Sequence, residues 1–319
     1  MFSYGISPVA EETRKIRRAA NCIGAAYAFI FVFDLLLEYL VGYSFSFSRF
    51  IFKVINDPVY KELFQITFSL LVFVPPYIMA VGLSGRRFSI IDFRRPRSGS
   101  SFSLVLMGLG ICQIGEIAAT MFGNVLSSIG HAPVMPEVTY SRGFYGVALA
   151  VISTAFVPAL AEEFAMRGVA MGLLRRFGDG FAILMSSIMF GLMHRNLVQA
   201  PFAFIVGLGL GFVAVKGGSV WLAVIVHFIN NLLAVCFTYL TKNLTTTMKS
   251  AVFCSYAAVM LAVGVIGFCL CKQKDELFTF EAPKTECSLL RKTAAFFTSP
   301  LIIIGLLLTA NDIFNLQVF

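Results

Sequence analysis

Two carboxylates and a guanidinium stand within one apolar run, at Ala161-Glu162-Glu163-Phe164-Ala165-Met166-Arg167-Gly168. A charge at membrane depth costs roughly 2.5–3.5 kcal/mol on insertion scales, so such residues usually face a partner or a cavity and mark a function. At ~3.6 residues per turn, Glu163 and Arg167 share a helical face, whereas Glu162 is rotated by ~100°. The spacing predicts an internal Glu163–Arg167 ion pair in a supporting role and leaves Glu162 free for chemistry. The competing reading of this stretch is a purely structural cluster of all three charges. Two of the chain's three histidines, His194 and His227, lie in later apolar runs, and Asn231 follows His227 by four residues, hence on its face. Such a set suits hydrolysis of a carbonyl. A carboxylate can act as general base on water, a histidine can help hold that water, and a histidine with an amide can donate to the developing oxyanion.

The elements that must position these groups are membrane helices. Hydrophobic residues make up 58% of the 319 and charged residues 13%, against about 45–50% and 25% in soluble domains. The expected fold is all-α, a polytopic bundle with a polar catalytic cavity. Apolar runs of the ~20-residue length needed for a span predict helices at 19–43, 61–83, 103–128, 143–174, 181–195, 198–215, 219–240 and 250–271. A ninth candidate at 294–310 is near the lower length limit. This divides the chain into a basic tail (1–18), helices one to three (19–142), a core of helices four to seven (143–240) and a C-terminal part (241–319). Pro75-Pro76 should kink helix two, and the Gly207-to-Gly211 spacing in helix six reads as close helix packing. Asp34 and Glu38, four apart on helix one, form a second candidate polar site. Gln113 and Glu116 are strongly polar residues near the middle of helix three, and His131 reads as a loop histidine.

The net charge of +8 comes from basic residues at the ends of apolar runs. That placement orients helices and argues against a nucleic-acid partner. With a cytoplasmic N-terminus, seventeen basic residues face the cytoplasm and seven the other side. The seven cysteines lack the spaced pairs of a disulfide framework, and Cys269-Leu-Cys271 reads as two cysteines at a helix end. The first apolar run is too long for the core of a cleavable signal. In this orientation, at ~1.5 Å per residue, Glu162 and His194 lie ~20 Å and His227 ~12 Å from the cytoplasmic helix ends, so the three can share a layer.

The motifs Glu162-Glu163-Phe-Ala-Met-Arg167, Phe190-Gly-Leu-Met-His194 and His227-Phe-Ile-Asn-Asn231, in order on successive helices, resemble those of the CPBP family of intramembrane proteases. That family includes the CAAX prenyl endopeptidases and bacteriocin-processing-type proteases. The resemblance covers about 143–240 and implies that Glu162 and His194 activate water while His227 and Asn231 bind the oxyanion. It implies a peptide or protein substrate: a prenylated CAAX protein, or in a bacterium a peptide precursor or a membrane-protein segment. The short tails and compact loops incline toward a bacterial plasma membrane. Metal-free, glutamate-dependent hydrolysis is the expectation. A zinc ion on Glu162, His194 and His227 is the alternative, although no His-Glu-x-x-His motif is present. A non-catalytic membrane scaffold or immunity protein, or a transporter, would be the readings from other classes.

Overall fold

The computed structural model describes residues 7–97, 99–130, 143–273, 278–279 and 285–317. Every element among them is helical. They are α1 (Pro8–Tyr43), α2 (Phe45–Asn56), α3 (Pro58–Phe73), α4 (Pro75–Ser84), α5 (Ser101–Ser128), α6 (Gly143–Phe177), α7 (Asp179–Leu192), α8 (Gln199–Gly217), α9 (Val220–Thr241), α10 (Thr246–Lys272), α11 (Leu289–Phe297) and α12 (Pro300–Gln317), with a short 3-10 turn at Phe88–Ile90. Seven helices or unbroken helix pairs are long and apolar enough to cross a membrane, and the bent pair α11–α12 makes up to eight. The chain is an all-α, multi-pass membrane bundle.

Three differences from the sequence reading have local causes. First, the tail is helical from Pro8. Ser7 accepts a hydrogen bond from the Ala10 N–H at 3.3 Å and Pro8 occupies the first turn, the usual signals of a helix start. Second, α2 is an extra helix with Arg49 and Lys53 among exposed Phe45, Phe52 and Ile55. Its 12 residues are too few for a search for spans. Third, the expected fifth span of 181–195 is a helix of 14 residues ending at Leu192. At ~1.5 Å per residue it rises ~21 Å, short of a ~30 Å hydrocarbon core. His194 therefore sits in a turn inside the bundle, just beyond the helix.

Helix two is interrupted at Val74, just before Pro75-Pro76, as the prolines require. The last apolar run is broken by 68° between Phe297 and Pro300, and α12 lies along α1. A Cβ on Gly24 would come within 2.7 Å of the Leu301 backbone, so only glycine admits that approach. The Tyr27 hydroxyl and Thr309 are hydrogen-bonded across the same seam. Helices α7 and α8 are close-packed. A Cβ on Gly207 would stand 3.0 Å from Ser187, and one on Gly211 3.0 Å from Ile183, so the glycine spacing in α8 does serve packing. The centre of the core is the second half of α6 with α7 and α8, where Ala165, Met166, Val169, Met185 and Met189 are all fully buried.

The loop between α4 and α5 seals the end of this core. Ile90 and Ile91 pass against Gly172 and Gly168 of α6. The Arg97 N–H donates to the Gly217 carbonyl at 3.0 Å, and the Val220 N–H donates to the Asp92 carbonyl at 2.8 Å. Outside the spans, the Arg94 guanidinium clasping Asp92 at 2.8 and 2.9 Å holds that carboxyl below its usual range.

Candidate active site

Helix α6 carries two stretches of i→i+5 bonding, Val151–Phe156 and Phe164–Ala170, with Glu162 and Glu163 on the turn between them. Such wide turns inside an α-helix often accompany functional sites. Arg167 lies in the second stretch and its side chain is fully buried, as is that of Glu163. Its Nη1 donates to Glu163 Oε1 at 3.0 Å, its Nη2 donates to the Gly207 carbonyl at 3.2 Å, and its guanidinium carbon stands 4.4 Å from the centre of the Phe190 ring. The ion pair expected from the i, i+4 spacing is present, and a backbone carbonyl of α8 and an aromatic face also contact the guanidinium.

Glu163 has a second partner that sequence spacing did not reveal. His227 Nδ1 lies 2.8 Å from the same Oε1, across 64 residues of chain. Arg167, Glu163 and His227 thus form one chain of contacts from the core of α6 to α9. Phe190 is its floor, with its ring edge-to-face against His194 at 5.2 Å and against His227 at 6.0 Å. His194 Nδ1 is 2.8 Å from the Phe190 carbonyl, so the phenylalanine fixes this imidazole by its backbone as well as by its ring.

Asn231 is held from both sides. Its Nδ2 donates to the Thr154 carbonyl at 3.1 Å, and its Oδ1 accepts from Asn230 at 3.3 Å. Residue 158 explains the first bond. Pro158 lacks the N–H that would reach the Thr154 carbonyl in an α-helix, and the freed carbonyl lies in the first wide-turn stretch. A proline inside an apolar run was the available signal for this contact. Glu162, by contrast, makes no hydrogen bond or ion pair among the described residues and is partly exposed.

Beyond His194, Arg195 adopts φ 49°, a left-handed conformation that only this non-glycine residue takes among those described. Two aspartates hold it. Arg195 Nη1 is 2.5 Å from Asp34 of α1 and 2.9 Å from Asp312 of α12. The second candidate polar site is therefore divided: Asp34 anchors the turn next to His194, while Glu38 is exposed. His131 lies outside the described residues. Cys269 is exposed and Cys271 buried, both as free thiols.

The zinc alternative needs Glu162, His194 and His227 to converge. Among the described residues no three His, Cys, Asp or Glu side chains gather closely enough to hold a metal. The chemistry below is built on the chain's own groups.

No curated protein and no solved structure matches the chain. A family model does, over the segment that contains α6, α7, α8 and most of α9. The model described as type II CAAX prenyl endopeptidase Rce1-like matches residues 143–233, the segment on which the three motifs resemble the CPBP family.

Proposed function

We propose that this chain is an intramembrane endopeptidase in which Glu162 is the general base. The observation that carries the proposal is the contrast between adjacent carboxylates. Glu163 is committed to Arg167 and His227, whereas Glu162 has no partner among the described residues. In this reading Glu162 takes a proton from water as the oxygen attacks the scissile carbonyl carbon, and later passes that proton to the leaving amine. His194, with Nδ1 committed to the Phe190 carbonyl, keeps the Nε2 lone pair to accept the water's other O–H. His227 faces Glu163 through Nδ1, so donation to the oxyanion through Nε2 requires both ring protons, and the Glu163 carboxylate compensates that charge. The second N–H of Asn231 Nδ2 is the other donor. The substrate is a peptide or protein segment reaching the site from the membrane or its cytoplasmic side, with the N-terminus of the enzyme in the cytoplasm, as the basic-residue bias supports.

The test is peptide cleavage by purified protein, wild type beside Glu162→Gln, with and without chelator. General acid–base catalysis contributes ~10²–10⁴-fold, so cleavage should fall by at least ~10²-fold. Thermal unfolding should be unchanged, because the amide keeps the shape and no partner is stranded. Equal cleavage by the two proteins would sink the assignment. Loss of wild-type activity on chelation, with stoichiometric zinc in the active protein, would replace the mechanism with a metal-based one.

A further inference from the structure

Beside Asn231 the helices leave a cavity of about 380 Å³ between α5, α9 and α10, capped by Val198, Gln199 and Phe202. Asn231 lines it, so it is continuous with the site proposed above. Two polar side chains enter from α5, three residues apart and hence on one face. Gln113 is only 3% exposed, yet its Nε2 has no hydrogen-bond partner among the described residues. Glu116, one turn on, has a carboxylate with no hydrogen bond or ion pair among the described residues. Among the described residues no Lys, Arg or His lines the cavity, and its walls include Phe202, Phe237, Phe253 and Tyr256. The Phe237 ring is 6.2 Å from those of both Phe253 and Tyr256.

A carboxylate at membrane depth without a counter-charge is costly, and a buried amide without a partner adds to that cost. Both are relieved by one kind of occupant. A cation neutralises Glu116 and is attracted to the aromatic faces. The methylene stem of a lysine or arginine packs against apolar walls. The Gln113 amide, a donor, requires an acceptor that no cation offers but a peptide carbonyl does. We propose that this cavity is a specificity subsite for a basic side chain of the substrate, Lys or Arg, close to the scissile bond, with Glu116 as counter-charge and Gln113 donating to the substrate backbone. The inference rests on the endopeptidase reading only for its placement next to the cleaved bond.

The experiment uses the full-length protein and a degenerate dodecapeptide pool in three versions, with Lys, norleucine or Glu fixed at the central position. Cleavage by the wild type is quantified and mapped by mass spectrometry. Binding is measured separately by fluorescence anisotropy on Glu162→Gln protein. The lysine pool should be cut, and bound, about tenfold better than the norleucine pool, with the Glu pool poorest. Cleaved bonds should lie within three residues of the lysine. Adding Glu116→Gln should collapse the lysine-to-norleucine ratio to near one, and Glu116→Asp should retain most of it. Cleavage that ignores the central residue would overturn the subsite and leave the endopeptidase standing. Lysine-selective binding that depends on Glu116, with no cleavage of any pool, would do the reverse. The lysine-to-norleucine ratio on wild type needs no variant, so the outcome does not hang on whether Glu116→Gln folds.

Discussion

The molecule contains two arginine-centred clusters that differ in reach and depth. Around Arg167 the first partner is one turn away on the same helix, and both charges are fully buried. Around Arg195 the partners come from α1 and α12, 161 and 117 residues away, and all three side chains keep between a fifth and a third of their exposure. The difference separates two tasks. A local pair makes a charged helix compatible with the membrane and presents a carboxylate to His227. A long-range cluster cannot help insert any one helix, and it pins a strained turn that follows a helix too short to span. The inner cluster holds His227, and the outer one holds the turn that carries His194.

The largest effect that can break this comparison is expected at the inner cluster. Arg167→Met leaves the fully buried Glu163 carboxylate with His227 but without its guanidinium, and losing one partner of a buried pair costs roughly 3–5 kcal/mol. The variant should unfold at a much lower temperature in detergent and lose cleavage. A variant with wild-type melting would remove Arg167 from the structural role. At the outer cluster, Asp34→Asn and Asp312→Asn should each cost about 1 kcal/mol, since these pairs are partly solvated and Arg195 keeps its other partner. The double variant should lose more than the sum and also lower turnover, because the turn carrying His194 is then unpinned. Strict additivity in that cycle would show that the aspartates do not act on one arginine. The smallest expected difference lies within residue 195. Arg195→Ala and Arg195→Gly both lose the ion pairs, but a left-handed conformation costs alanine roughly 1–2 kcal/mol and glycine little. The glycine variant should therefore be the more stable, and the reverse order would deny the strain at φ 49°.

What a single segment decides by itself was the legible part of the sequence. The inner ion pair follows from four-residue spacing, and the spans follow from hydropathy, because both are properties of one segment. What escaped depends on pairs of segments or on backbone bonding. The Glu163–His227 bond crosses 64 residues. Arg195 meets its aspartates only once α1 and α12 have docked. The Thr154 carbonyl is available to Asn231 because of Pro158, which hydropathy scores as merely another apolar position. Helix α2 is amphipathic and short, so a search for 20-residue apolar runs passes over it. The end of α7 was misplaced for a related reason: Met193 continues the apolar pattern, but the backbone turns at Arg195, whose conformation no hydropathy scale reads.

The outer cluster also sets an order of events during synthesis. Nascent membrane proteins assemble from the N-terminus as they emerge. Asp34 is in place early, the His194 turn follows, and Asp312 arrives last. Until it does, Arg195 lacks its Asp312 contact and α1 lacks the helix that lies against it. The final docking of α12 therefore acts as a completion step, and a ribosome-bound chain that has made every motif residue still lacks the last anchor of its His194 turn.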